Sequence, residues 1–210
     1  DKYSGFTVNG TLTVKRSPNK KVIFTSYLDD QYGGDTNNDG ESSSPSPGDW
    51  DKIYFSATSK KSELNNVIVR YAGSGPTCCG SACSPEMAGI KVEKSPITIR
   101  DSVISDNKYR GLWLVDSPSP VIEADSSSGS PTTVIDGIEF INTLACLNGG
   151  GHGLKIDGGS PSVKNSVFKN NIYGIYIYKG KPSLDETSLT FEANSKCNIF
   201  KAGECVNPQP

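Results

Sequence analysis

Long apolar runs are missing from this 210-residue chain, and nothing in it approaches the ~20 consecutive apolar residues of a membrane-spanning helix. No membrane span is expected. A 3.6-residue apolar period is missing as well, which argues against amphipathic helices as building units. Charge of one sign is also scarce: 21 basic and 23 acidic residues leave a net charge of −2. A generic nucleic-acid binder needs a concentrated basic face, so no nucleic-acid partner is expected. The six cysteines lack the paired C-x-x-C spacing of a zinc ribbon. No signal-peptide pattern opens the chain, and Asp1 reads as the start of a processed or excised domain.

What is present points to an all-β, turn-rich protein. Hydrophobic residues make up only 34%, beside 22 glycines, 13 prolines and abundant Ser, Thr and Asn. The length suits one domain with a sizeable core. An even cysteine count on such a background favours disulfides in an oxidising, extracellular or cell-surface compartment. Cys78, Cys79 and Cys83 share one loop, whereas Cys146, Cys197 and Cys205 lie far from it.

The segments AGIKVEKSPITIRDSVISDN, GLKIDGGSPSVKNSVFKNN and GIYIYKGKPSLDETSLTFEAN share one plan. Each runs from Gly through an alternating apolar strand, a turn with Pro and two further apolar pairs to Asn. GLWLVDSPSPVIEAD…VIDGIEFIN is a fourth copy, swollen by insertions, and two degenerate copies precede them. The anchors Gly89, Gly111, Gly153 and Gly174 are 22, 42 and 21 residues apart. Short strands at such a period indicate a parallel β-solenoid. The pattern resembles the right-handed parallel β-helix, the pectate-lyase-like architecture, and covers nearly all of residues 1–210 as a single domain of about six coils. The resemblance implies that Asn107, Asn142, Asn171 and Asn194 form an internal asparagine ladder; an Asn at a turn can adopt left-handed geometry and bond its stacked neighbours.

Insertions at 27–49, 74–87 and 143–152 and the tail at 195–210 all follow a third strand and so share one corner; 124–133 falls at another. Equivalent positions stack about 4.8 Å apart per coil. Cys146 is thereby brought toward the Cys78/Cys79/Cys83 loop, and Cys197 can close the tail with Cys205, although the connectivity stays open.

Within the first insertion, Asp35, Asn37, Asp39 and Gly40 match positions 1, 3, 5 and 6 of a calcium loop, with Ser46 where the position-12 Glu belongs. Asp29, Asp30, Glu41 and Asp49 stand close enough in sequence to complete an oxygen shell, so a structural Ca2+ is expected. The run FTSYLDDQYGGDTNNDGESSSPSPGDWDKIYF is similar to a segment recurrent in bacterial surface β-helix repeat proteins, which implies an extracellular, calcium-stabilised module.

Gly-His-Gly at His152, the only histidine, resembles hydrolases that cleave polygalacturonan on this fold. Their Asn-Thr-Asp, Asp-Asp and Arg-Ile-Lys motifs are replaced here by SPITIRDS and VKNSVFKN, so His152 reads as a loop residue. In the first strand of each repeat, residues between the inward apolar pairs should face out. Down the stack they are Thr13, Tyr54, Lys91, Trp113, Lys155 and Tyr176, with Tyr178 beside the last. Aromatics about 10 Å apart suit a polysaccharide or cell-surface glycan. The expected function is a non-catalytic recognition or adhesion module. A polysaccharide lyase or glycoside hydrolase, and a fibre subunit stacking through open strand edges, are the alternatives.

Overall fold

The computed structural model describes residues 4–15, 17, 20–75, 86–118, 134–136, 139–141, 143, 145–146 and 149–208. Strands recur in a three-part cycle. The first cycle is β1 (Phe6–Val8), β2 (Thr13–Val14) and β3 (Val22–Phe24). β4 (Ile53–Phe55), β5 (Ser62–Asn65) and β6 (Val67–Arg70) follow, then β7 (Ile90–Glu93), β8 (Ile97–Arg100) and β9 (Val103–Ser105). Next come β10 (Arg110–Ser117), β11 (Val134–Asp136) and β12 (Glu139–Ile141), and a small hairpin of β13 (Ala145–Cys146) and β14 (Gly149–Gly150). β15 (His152–Gly159), β16 (Ser162–Lys164) and β17 (Val167–Lys169) precede β18 (Tyr173–Lys179), β19 (Ser183–Leu184) and β20 (Thr190–Glu192). β21 (Cys197–Lys201) and β22 (Glu204–Asn207) end the chain's ordered strands.

Three sheets result, in the orders β1-β4-β7-β10-β15-β18-β21-β22, β19-β16-β11-β8-β5-β2 and β20-β17-β12-β9-β6-β3. Each strand pairs in parallel with its counterpart one cycle on, as Phe55 does with Val92 and Val69 with Ile104. The chain is a parallel β-helix, and its core is the stack of inward residues. Ile53, Ile90, Leu112, Leu154 and Ile175 succeed one another in register, all fully buried. On the third sheet Phe140, Phe168 and Phe191 stack with centroids 4.8 and 5.3 Å apart.

The corners show why the repeat has its fixed residues. Asn171 Nδ2 donates to the Phe140 carbonyl at 2.9 Å, one cycle back, while its Oδ1 accepts from Thr143 N at 3.2 Å. Asn107 bonds Val69 and Ala72 in the same way, and Asn194 bonds Phe168 and Asn171. Asn142 lies outside the described residues. The left-handed geometry falls one residue earlier than expected, on Tyr71, Asp106, Asn170 and Ala193, with φ between 50° and 62°. The bend is made by the residue before each corner position, Ala72, Asn107, Asn171 and Asn194. A Cβ on Gly153 would sit 2.9 Å from the Gly174 carbonyl and 3.1 Å from Phe140, which is why a glycine anchors this corner.

Two expectations are corrected here. Thr13 pairs with Glu63 in the second sheet, and Thr7 is the residue in register with Tyr54. Strand alternation has the same period on all three faces, so it could not tell them apart. His152 opens β15 and is buried rather than lying in a loop. The Cys197–Cys205 disulfide does form and ties β22, which pairs antiparallel with β21. Cys78, Cys79 and Cys83 fall outside the described residues, and Cys146 is described only through its backbone pairing with Gly149.

The two ends differ. β22 covers the C-terminal edge of the first sheet, which opposes continuation of that sheet there. At the N-terminal end Phe6 and Val22 are in register with the core residues Ile53 and Val67, yet are 48% and 43% exposed.

Asn171→Ala tests the ladder. It leaves the buried Thr143 N–H and Phe140 carbonyl without partners, and the expected loss is about 2–4 kcal/mol. Thermal unfolding should show a midpoint lowered by roughly 5–15 °C; an unchanged midpoint would show that the ladder contributes nothing.

Candidate functional site

Two places concentrate unsatisfied chemistry, and the first is the loop between β3 and β4. Its far end is knit onto the following coil: Gly48 N and Asp49 N donate to the Tyr71 carbonyl at 3.0 and 2.9 Å, and Trp50 Nε1 donates to Arg70 O at 2.8 Å. Inside the loop, Asp35 accepts hydrogen bonds from Asp39 N at 3.0 Å and Gly40 N at 2.8 Å, which folds the DTNNDG run into a tight turn. Asn38 and Gly40 take positive φ to close it.

The turn brings one carboxylate oxygen each of Asp30, Asp35 and Asp39 within 4.8 Å of one another. Oδ1 of Asp30, Asn37 and Asp39 are all buried without a hydrogen-bond partner. Burial raises the Asp30 pKa, and the charges of Asp35, Asp39, Asp29 and Glu41 raise it further. Hard, unpaired oxygens held together against their own repulsion fit a divalent cation. The other acids of the expected shell have different partners. Asp29 accepts from the Thr25 hydroxyl and lies 3.7 Å from Arg70 Nε. Asp49 accepts from Ser26 Oγ and Ser46 N, both at 2.8 Å. Glu41 acts on Asp30 through its field and is not among the three clustered carboxylates.

The second place is the outer face of the first sheet. Thr7, Tyr54, Lys91, Trp113, Lys155, Tyr176 and Phe200 are successive register partners. The column exists, but most of it is not an open face. Trp113 is 7% exposed and Lys91 is buried, while Tyr54, Lys155 and Tyr176 are half-buried. Cations crowd the Trp113 ring: Lys91 Nζ at 4.8 Å, Lys155 Nζ at 5.2 Å and the Arg110 guanidinium at 4.3 Å from its centroid. Tyr178 is the exception at 65% exposed; it is the residue passed over where the register shifts from Ile156–Ile177 to Asp157–Lys179. Tyr54 donates to Glu93 at 2.7 Å, and that bond, with burial, pushes the phenol up to about 12.

Arg110, His152 and Phe200 belong to this face and were not expected there. Gly111 turns its side-chain direction toward Ile104 and Phe140, which breaks the alternation and lets Arg110 join Trp113 outside. Phe200 stacks on Tyr176 at 5.0 Å from what had read as a plain tail. His152 packs 4.5 Å from Tyr176 and 5.4 Å from Tyr173. Its burial, with Arg110 and Lys155 nearby, lowers its pKa to about 3. It is therefore a neutral imidazole near pH 7. Beside the loop, at the open end, lies a cavity of about 640 Å³ bordered by Phe6, Tyr27, Leu28, Asp49 and Trp50.

The loop makes a prediction about acid. An aspartate whose folded pKa is raised holds its proton more tightly folded than unfolded, so stability is gained as pH falls through the folded value and lost as pH rises. In a chelator, Asp30→Asn should raise the thermal midpoint at pH 7, and the difference from wild type should shrink toward pH 4. A lower midpoint for the variant at pH 7 would mean that Asp30 is not under repulsion.

Comparison with known proteins adds one match. Residues 53–206 match the family model described as right handed beta helix region. No curated protein and no solved structure matches the chain.

Proposed function

The chain belongs to the right-handed β-helix family, and on that premise we propose that it is a non-catalytic, extracellular recognition or adhesion module stabilised by Ca2+. Its ligand is a polysaccharide or cell-surface glycan, and it is displayed as part of a larger bacterial surface or pilus-associated protein. The observation that carries this reading is the clustering of one carboxylate oxygen each from Asp30, Asp35 and Asp39 within 4.8 Å, with Oδ1 of Asp30 and Asp39 buried and unpartnered. Ca2+ takes six to eight oxygen ligands in flexible geometry, so main-chain oxygens and water would complete the shell begun by these side chains. The ion supplies positive charge where the carboxylates of Asp30, Asp35 and Asp39 repel one another, and so ties the loop to the N-terminal coils.

A recognition role accords with the long first sheet, whose exposed Tyr178 offers a ring face for a sugar. Catalysis of the hydrolytic or lyase kind needs a group that exchanges protons near neutral pH. A histidine held near pKa 3 against tyrosine rings does not serve.

For the metal, CaCl2 at about a hundredfold over its Kd should stabilise the protein by about 2.7 kcal/mol. At this chain length that is roughly 5–10 °C in the unfolding midpoint, reversed by chelator. Asp39→Asn should weaken binding at least ~10-fold, since it removes a charged ligand. A midpoint indifferent to calcium would remove the metal from this account.

For the ligand, the calcium-loaded protein should be retained on immobilised polysaccharide without releasing product, with Tyr178→Ala lowering retention several-fold, on the order of 1 kcal/mol. New reducing ends or unsaturated sugars would establish an enzyme instead.

A further inference from the structure

The outer face of the first sheet presents the converse of the acidic loop. Arg110, Lys91, Trp113 and His152 are each more than nine-tenths buried on this face. Lys91, Arg110 and Lys155 surround the Trp113 ring on this face, with Lys179 beside Asp157. Lys91 is well matched, 2.8 Å from Glu86 and 3.6 Å from Glu93. Asp157 is shared, 3.8 Å from Lys155 and 3.6 Å from Lys179. Arg110 spends one nitrogen on the Met87 carbonyl at 3.2 Å and lies across the Tyr109 and Trp113 rings.

Beside these cations the ring nitrogens Trp113 Nε1 and His152 Nδ1 are buried without a hydrogen-bond partner, as is the acceptor Asp157 Oδ1. An indole N–H is only a donor, so no rotation or tautomer satisfies it without an acceptor. Buried polar groups left unpaired in a native fold ask for an explanation, and an ion or water is the common one. The cations also oppose one another. Burial lowers the Lys155 and Arg110 pKa values, Arg110 to about 10, and the Arg110 charge lowers Lys155 further. Cations crowded round an unfilled N–H are the chemistry that receives an oxyanion, through charge-assisted hydrogen bonds.

We infer that Trp113 Nε1, His152 Nδ1 and the Lys155 ammonium, in the field of Arg110, form a binding site for a small oxyanion, a carboxylate or sulfate. The oxyanion arrives either as a free ion or as a substituent on the glycan. Only the second source rests on the recognition role proposed above.

The chain's two tryptophans make the test internal. Trp50 Nε1 already donates to Arg70 O at 2.8 Å and serves as the control. The calcium-loaded protein is titrated with sodium acetate and with sodium sulfate, sodium chloride being exchanged to hold ionic strength. The two indole N–H resonances are followed by 1H–15N NMR and assigned with Trp113→Phe. The Trp113 signal should move downfield and saturate with at least one anion while Trp50 stays. Lys155→Gln should raise the half-saturating concentration about tenfold, the loss of one charge-assisted bond. A Trp113 signal that stays still, or drifts linearly together with Trp50, overturns the site; an unaffected half-saturation in Lys155→Gln overturns its make-up.

Glucuronate and glucose separate the sources. Saturation by glucuronate well below acetate assigns the oxyanion to a glycan, and parity assigns it to a free ion. A response to glucose with acetate silent overturns the inference. An unmoved Trp113 in a protein that still binds neutral polysaccharide sinks this site alone and leaves the recognition role standing.

Discussion

Parallel hydrogen bonding between successive coils is the constraint on which everything else depends. Each strand satisfies its backbone on the strand one cycle earlier and one cycle later, at about 4.8 Å. Equivalent residues are therefore forced into contact, whatever their chemistry. Apolar positions become the Ile53-to-Ile175 stack and the Phe140–Phe168–Phe191 pile. Polar positions at a corner become the asparagine ladder, in which each amide satisfies two buried backbone groups of the coil before it. The glycine corner follows from the same spacing, since a side chain there would meet the next coil's carbonyl.

The same stacking accounts for the burial of the outer column. A lone Trp on a sheet surface is exposed on both ring faces, but here the coils on either side deliver Lys91 and Lys155 to Trp113 and the corner delivers Arg110. Long cationic side chains cover the ring with their stems and surround it with charge. The acidic loop reaches its concentration of charge by another route: a local turn built on Asp35, fastened to the coil at Tyr71 and Arg70. Concentration of charge is thus a product of rigid scaffold in both places, and both are where ligand chemistry is expected.

Much of the fold was legible because the solenoid repeats its instructions. Gly89, Gly111, Gly153 and Gly174 recur at near-constant spacing, and inward residues could be named strand by strand. The degenerate first repeat misled: GTLTV alternates like any strand, and nothing local distinguishes the second sheet, where Thr13 lies, from the first. Asparagine propensity points to the ladder residues for the left-handed corner, but residues one position earlier, such as Tyr71 and Ala193, make the bend. In the loop, two positions of the DxNxDG run, Asp35 and Asp39, stand together with Asp30. The spacing did not show that Asp29 and Asp49 hold Thr25, Arg70 and Ser26, because those partners come from elsewhere in the fold.

By itself, then, the amino-acid sequence determined what depends on period and local geometry: an all-β parallel solenoid, its inward residues, its anchor glycines and the tight acidic turn. A repeat of about 21 residues carries that information in every copy, and a turn of six residues carries it within itself. Tertiary structure alone decided burial and charge balance on the outer surface. Whether Trp113 faces solvent or three cations, and whether Asp29 faces an ion or Arg70, depends on groups far apart in the chain. Those distances are set by the stacking of coils, and no window along the chain contains them.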